Sequence, residues 1–420
     1  MRVLIACVGS AGDVHPFLAI GAALARRGHE VELQTSPHFR LRVEAAGLRL
    51  LPLGDEDDYR RIVQCPDLWH PHRSFPLMWS QMQRRLPQAH AALAARVRPG
   101  DTVLVGSTLA WQTRLLQETH GLPAASVHLS PLCIFSALAP ARLPGLPSLR
   151  GWPAWLVRAL QGAVERGAID RVVAPGLDAL RAQLGLAPVR RVMSRWAHAP
   201  DRVLCAWPEG FAPPQPDWPA QARTIGFVRW PAPPGAALPE ALARFLDAGA
   251  APVGFTPGSA MAHGRAFFDE ALRACAALGL RAVLVTPYAE QLPAPLPPWA
   301  IAVDYVPFAL LMPRLRAVVH HGGIGTGVEA LAAGLPQGLA PFAHDQFDNT
   351  DRWVAQGLGL RMRPGRWAQG LGRLLDDPML AAACTRQAAA LVDTTDAADR
   401  AADAIEALRP PSGAAGAPGR

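Results

Sequence analysis

The sequence predicts an α/β protein of two parallel-sheet domains facing each other across a cleft, and three observations carry that reading. The chain opens on a short apolar run followed by a glycine turn, a helical stretch and a second strand. The same pattern restarts after a proline-rich stretch near the middle. Finally, 420 residues, 50% of them hydrophobic, are enough for two cores at about 150 residues per domain.

Taken in order, Val3–Val8 is a continuous apolar run that ends in Gly9-Ser10-Ala11-Gly12. Helical spacing over Phe17–Arg27 leads through Gly28-His29 to a second strand, Glu30–Thr35, which makes a βαβ unit and hence a parallel sheet. Further strands are expected at Thr102–Val105, Ala124–His128 and Val203–Ala206. Prolines 208, 213, 214, 216, 219, 231, 233, 234 and 239 then crowd a span too proline-rich for a regular helix or a central strand. The first domain is therefore taken as 1–230, with 231–250 as a stiff linker. Beyond it come the strand Pro252–Thr256, the turn Gly258-Ser259 and a helix over Phe267–Leu280. The strands Arg281–Thr286, Ala300–Tyr305 and Ala317–His320 follow, and a helix carries Glu329–Ala333, completing a second domain over 251–409. Residues 410–420 (PPSGAAGAPGR) read as a disordered end. Two such domains place a ligand cleft between the carboxyl ends of their sheets.

Every one of the 41 basic side chains is arginine. The absence of lysine excludes a P-loop lysine, a Schiff base, a pyridoxal-phosphate site and a lysine general base. A single asparagine, Asn349, against 42 prolines and 37 glycines is the composition of a GC-rich genome, so the net charge of +7 says little about partners. With no dense arginine run and no interleaving of aromatic and basic residues, nucleic acid is set aside. Six scattered cysteines with no Cys-x-x-Cys pair read as core thiols in a reducing compartment. Without a signal-peptide h-region or a run of about 18 apolar residues, the expectation is a cytoplasmic protein.

The densest chemical signal is His320-His321-Gly322-Gly323-Ile324-Gly325-Thr326-Gly327-Val328-Glu329. Four glycines and a threonine between an apolar strand and a helix leave backbone N–H groups bare at a helix N-terminus, a ready anion site. A diphosphate is the natural guest, His321 can donate to it, and Glu329 is placed to accept from a sugar hydroxyl. The alternative is a merely tight turn with a core histidine. Downstream, Asp345-Gln346 offers paired acceptors and donors to carbohydrate hydroxyls, with the lone Asn349 three residues on. Ser259, after the strand Pro252–Thr256, can meet the same phosphates. No Asp-x-Asp pair suggests a divalent-metal site, so none is expected, and the positive helix end is left to stabilise a leaving diphosphate. In the first domain, Asp13 and His15 sit in the turn after the first strand, where a partly desolvated carboxylate can act as a general base. Helix capping is the competing role for Asp13.

The segments HHGGIGTGVEALAAGLPQGLAPFAHDQFDN (320–349) and GSAGDVHPFLAIGAALARRGHEV (9–31) resemble the donor-binding signature and the acceptor-domain opening of the family-1, UDP-glycosyltransferase-like glycosyltransferases of GT-B fold. The resemblance covers nearly the whole chain. It implies two Rossmann-like domains and an inverting, metal-independent transfer from a nucleotide-diphosphate sugar, which is a co-substrate rather than a cofactor. By motif position it puts Ser259, His321, Gly323, Gly325 and Thr326 at the diphosphate and Glu329 at the ribose. Asp345, Gln346 and Asn349 fall at the sugar, and Tyr305 to Phe308 at the base. Ser10, Trp79 and Phe135 fall on the acceptor side. Many members have a histidine where this chain has Asp13, while others with Gly-Asp-Val-x-Pro use the aspartate directly, so Asp13 is the expected base with His15 in reserve.

A narrower resemblance rests on CPDLWHPHRSFPLMW (65–79), LSPLCIFSALAP (129–140), FAPPQPDWP (211–219) and AHDQFDN (343–349), which are similar to the rhamnosyltransferases of rhamnolipid synthesis. It implies transfer of rhamnose from dTDP-L-rhamnose to a 3-(3-hydroxyalkanoyloxy)alkanoate. Transfer from a UDP- or dTDP-sugar to a sterol, macrolide or other lipophilic aglycone is the alternative, and a nucleotide-sugar epimerase or hydrolase stands behind both. The apolar, proline-broken stretch Leu129–Leu160, with Trp152 and Trp155 among Arg142, Arg150 and Arg158, is suited either to cover a lipid acceptor and touch the cytoplasmic face of the inner membrane, or to pack as an ordinary amphipathic helix.

Overall fold

A computed structural model describes residues 1–408 except 234 and 393–395. The expected disordered end, 410–420, lies outside the described residues. Seven strands form the first sheet: β1 (Arg2–Ala6), β2 (Glu30–Thr35), β3 (Arg49–Pro52), β4 (Thr102–Ser107), β5 (Ala124–His128), β6 (Arg202–Cys205) and β7 (Ala222–Thr224). Their order is β3-β2-β1-β4-β5-β6-β7. Six more form the second: β8 (Val253–Thr256), β9 (Ala282–Val285), β10 (Ala300–Val303), β11 (Ala317–His320), β12 (Gln337–Leu339) and β13 (Gly359–Arg361), ordered β10-β9-β8-β11-β12-β13. All pairings are parallel. Helices cover both faces, which is why β1, β8, β9 and β11 are buried at every residue and read as unbroken apolar runs. The expected pair of parallel-sheet domains is therefore the observed architecture.

Several elements differ from the reading of the sequence. The first helix is Ala11–Arg26, starting six residues before Phe17, because Ser10 and Asp13 form its capping box and Pro16 falls inside it. Strands β3, β7 and β13, which the sequence reading did not mark, are sheet-edge strands with at most one buried residue each, so they lack the continuous apolar run of the covered strands. β7 lies within the proline-rich span, at the sheet edge where a neighbouring proline costs no ladder bond.

That span is also packed rather than free. Trp207, Phe211 and Phe227 are buried in the core of the second domain, and Phe211 lies 4.7 Å, centroid to centroid, from Trp353. The expected linker 231–250 contains the helix Glu240–Asp247, whose Leu242 and Leu246 pack with Val283, Val285 and Val303 of β9 and β10. The last described helix, Ala397–Glu406, falls in the segment expected to belong to the second domain, yet it packs on the first. Its Ala398, Ala401, Ala402 and Ile405 join the core of the first helix, and Arg27 bonds Asp399 (3.0 Å), Asp403 (2.5 Å) and Glu406 (3.0 Å). Among the described residues no helix is long and apolar enough to cross a membrane, and all six cysteines are unpaired.

Candidate functional site

The two sheets face a cleft of about 1500 Å³ that reaches from the carboxyl end of β1 to the carboxyl ends of β8 and β11. Ordinary small-molecule sites span roughly 300–1000 Å³, so this one has room for two substrates together.

Asp13 stands in the first turn of the helix Ala11–Arg26, half-buried at the cleft wall. Its Oδ2 accepts from the Ser10 amide (2.7 Å) and from Ser10 Oγ (3.1 Å), so Ser10 is the N-cap and Asp13 the third helical residue that bonds back to it. Gly9 makes the arrangement possible: its φ is +143° and a Cβ there would overlap the carboxylate. Burial pushes the Asp13 carboxyl up to about 6; the Ser10 amide opposes this, and the carboxylate of Asp345 reaching from the other domain adds to it. Capping and cleft exposure therefore coexist, since both Ser10 bonds fall on Oδ2. Burial, with Arg42 nearby, holds His15 down to about 4, and its Nε2 is buried without a partner. Ser10, His15 and Phe135 line the cleft.

Trp79, expected on the acceptor side, does not. It is 3% exposed, with its ring 5.2 Å from Trp111 in a separate core cluster. Phe75, Met78 and Met82 of the same helix, Ser74–Ala94, line the cleft in its place. Their i, i+3, i+7 spacing is a signal the sequence already carried.

On the donor side, β11 ends at His320, which is fully buried; its Nδ1 accepts from the Gly322 amide (3.2 Å) and its Nε2 faces Gln337 Oε1 (3.0 Å). His320 thus shapes the loop, while His321 lines the cleft. The His321 ring fits against Gly258, where a Cβ would come within 2.9 Å, and against Gly323, where a Cβ would overlap Nε2. Burial, with His320 adding, pushes His321 down to about 3, so it is neutral, and its Nδ1 is buried without a partner. Gly323 caps the helix Ile324–Ala332, whose first intrahelical bond is Gly327 N to Gly323 O (3.0 Å). The amides of residues 323–326 accordingly have no intrahelical partner and, with Ser259, border the same space.

Glu329 lines the cleft one turn on, already engaged: Arg229 Nε and Nη2 each donate to one of its oxygens at 2.9 Å. Arg229 lies in the proline-rich span, 100 residues away, and nothing local in the sequence points to it.

Asp345 and Gln346 both face the cleft at the start of the helix Gln346–Ala355. The residue before them, His344, has φ +55°, a left-handed conformation uncommon outside glycine, and it packs on Trp69 of the first domain. Gln346 Oε1 accepts from the Phe342 and Ala343 amides (2.8 and 3.1 Å), leaving its NH₂ as the group not used by the loop. Asn349 is fully buried and does not line the cleft. Its Nδ2 donates to Asp345 Oδ2 (2.8 Å), and its Oδ1 accepts from Ser130 of the first domain (3.2 Å). It is therefore a brace for Asp345, not a residue that can reach a ligand. Tyr305 and Phe308 border the cleft, with the Arg42 guanidinium 4.7 Å over the Tyr305 ring. Among the described residues no three His, Cys, Asp or Glu side chains converge as metal ligands.

Residues 3–128 match the glycosyltransferase family 28 N-terminal domain, and residues 274–406 match the erythromycin biosynthesis protein CIII-like C-terminal domain. The chain is 30% identical over 391 residues to the O-mycaminosyltylonolide 6-deoxyallosyltransferase of Streptomyces fradiae, covering 87% of this chain and 85% of that enzyme. This protein is a glycosyltransferase of the erythromycin biosynthesis protein CIII-like family. Its GT-B fold agrees with solved structures of similar extent. The glycosyltransferase of kitacinnamycin superposes with a TM-score of 0.74 at 23% identity, covering 97% of this chain and 99% of that one. The glycosyltransferase VinC, solved in complex with dTDP, superposes with a TM-score of 0.69 at 20% identity, covering 97% and 99%. The glycosyltransferase uses a nucleotide-sugar donor, and its relatives include macrolide and other natural-product enzymes.

Proposed function

We propose that the protein moves a deoxysugar from a dTDP-linked donor to the hydroxyl of a large apolar acceptor of the macrolide or polycyclic type, with inversion and without a metal. The observation that carries the reading is a carboxylate raised to about 6 by burial, facing Asp345 across a cleft whose other wall is a bare helix N-terminus. Asp13 takes the proton of the acceptor hydroxyl, and the oxygen attacks the anomeric carbon from the face opposite the diphosphate. The carbon–oxygen bond to the diphosphate breaks, and the leaving group's new charge is received by the amides of residues 323–326, Ser259 and His321. Single displacement inverts the configuration. Asp345 and the Gln346 amide hold the sugar, Asn349 fixes Asp345, and Tyr305 and Phe308 border the base. Phe75, Met78, Met82 and Phe135 give the acceptor an apolar bed.

Rhamnose transfer to a 3-(3-hydroxyalkanoyloxy)alkanoate is the second reading, and one observation favours it. Leu143, Leu146, Leu160 and Val164 line the cleft with exposed side chains, Leu138, Trp152 and Trp155 are exposed on the same segment, Trp155 by 70%, and the helix Ala154–Val164 buries only Val157. A donor panel of dTDP-rhamnose and UDP-glucose, crossed with a macrolide aglycone and a hydroxyalkanoyloxyalkanoate, separates the two by mass spectrometry of the products. Glycosylation of the macrolide supports the first reading and glycosylation of the lipid the second. Turnover of the donor without an acceptor points to an epimerase or hydrolase and overturns both.

A further inference from the structure

The ion pair between Arg229 and Glu329 sits where the nucleoside of a bound donor would lie. Glu329 follows Gly325 by four residues and Thr326 by three, on the same helical face, so its carboxylate stands about one turn beyond the amides suited to a diphosphate. The next chemical unit of a nucleoside diphosphate along that line is its pentose. A ribose presents a vicinal diol, which pairs best with a carboxylate by donating one hydroxyl to each oxygen. In this protein the Arg229 fork, with Nε on one oxygen and Nη2 on the other at 2.9 Å each, occupies that bidentate face. The Glu329 side chain is only 15% exposed and Arg229 41%, so the carboxylate is committed inward while its partner remains within reach of the cleft. A deoxyribose has a single hydroxyl on that edge. It asks for only one of the outer lone pairs the guanidinium leaves free, whereas a diol cannot bridge the two, because they point away from each other once the fork has taken the convergent pair.

We infer that Arg229 determines specificity by withholding Glu329 from a ribose diol, and so selects 2'-deoxyribonucleotide donors over ribonucleotide donors. The inference rests on the nucleotide-sugar reading of the cleft. It makes the proline-rich segment, and not only the glycine loop, part of donor recognition.

The test compares dUDP with UDP, which differ only in the 2'-hydroxyl, by titration calorimetry on the full chain, with dTDP as the reference ligand. The wild type is expected to bind dUDP about tenfold or more tightly than UDP. In Arg229→Met, which keeps the apolar stem, UDP affinity is expected to rise until the ratio falls to within twofold of unity, with dUDP changed little. Arg229→Lys restores a charge without the fork and is expected to lose the discrimination as well, which a charge effect alone would not produce. A merely structural role for the pair would weaken both nucleotides equally and leave their ratio unchanged. That result, or a wild type that binds dUDP and UDP alike, overturns the inference while leaving the donor site standing. Failure of the wild type to bind dTDP, dUDP or UDP overturns the nucleotide reading along with it.

Discussion

The carboxylate of Asp13 is bonded through one oxygen to the N-cap of its own helix and raised to about 6 by burial, so at neutral pH it is ionised and short of solvation. Because its folded value lies above the ordinary 3.8, the proton is held more tightly in the folded state. That contribution to stability is complete below about pH 4 and lost as pH rises to about 6. Asp13→Asn keeps an acceptor for the Ser10 amide and removes the charge. It is expected to be more stable than the wild type by about 1 kcal/mol at pH 7.5, allowing for partial solvation, with the difference closing below pH 4 in thermal melts. His321 is neutral throughout the working range, so the role proposed for it at the diphosphate is that of an uncharged hydrogen-bond donor. His321→Ala is expected to weaken dTDP about tenfold by calorimetry, with no change in the pH dependence of binding between 5 and 8. At this scale the sequence was informative where a residue's role is local. The glycine run with His321, and the turn with Asp13, were legible from spacing. Trp79 and Asn349 were not, because helical spacing puts Trp79 on one face with Phe75, Met78 and Met82 without telling which of them meets the cleft and which the core, and a motif position does not tell whether Asn349 faces a ligand or the protein. Asn349, expected at the sugar, makes its hydrogen bonds inside the protein, to Asp345 and Ser130.

Among the elements, the helix Gln346–Ala355 joins the two domains through several polar contacts. Its start presents Asp345 and Gln346 to the cleft, while its buried Asp348 accepts from the Arg142 amide (2.9 Å) and from Arg150 (3.1 Å) and Arg352 (2.7 Å). Asp351 pairs with Arg142 and Arg361. The same helix therefore carries the proposed sugar contacts and pins the segment that borders the acceptor mouth. Asn349→Ala removes a brace at both ends and is expected to cost about 1–3 kcal/mol in denaturant unfolding. It is also expected to raise the donor KM about tenfold, as Asp345 loses its orientation. The long, fully buried strands were legible in the sequence, since short continuous apolar runs between helical stretches are the pattern of strands covered on both faces. β3, β7 and β13 were not, since each is a sheet-edge strand with at most one buried position, so no continuous apolar run marks it.

Across the whole molecule, the proline-rich segment runs from the first sheet through the aromatic core of the second domain, and the helix Ala397–Glu406 returns to cover the first helix. Neither domain is complete without a segment the sequence assigned elsewhere, and this could not be read locally because alanine spacing does not name its partner. Ile405→Ala is expected to destabilise the protein by about 2–4 kcal/mol, and differential scanning calorimetry should show the loss in the transition that contains the first domain. With the two halves tied in this way, the cleft brings one base and one anion-receiving helix end to a shared space. Assignment of Asp13 as the base is tested by a single-turnover measurement of sugar transfer by Asp13→Asn, using a donor and acceptor that the wild type accepts. The transfer rate is expected to fall about 10²–10⁴-fold with dTDP affinity unchanged. A rate within threefold of the wild type, or one abolished by His15→Ala but not by Asp13→Asn, would contradict it.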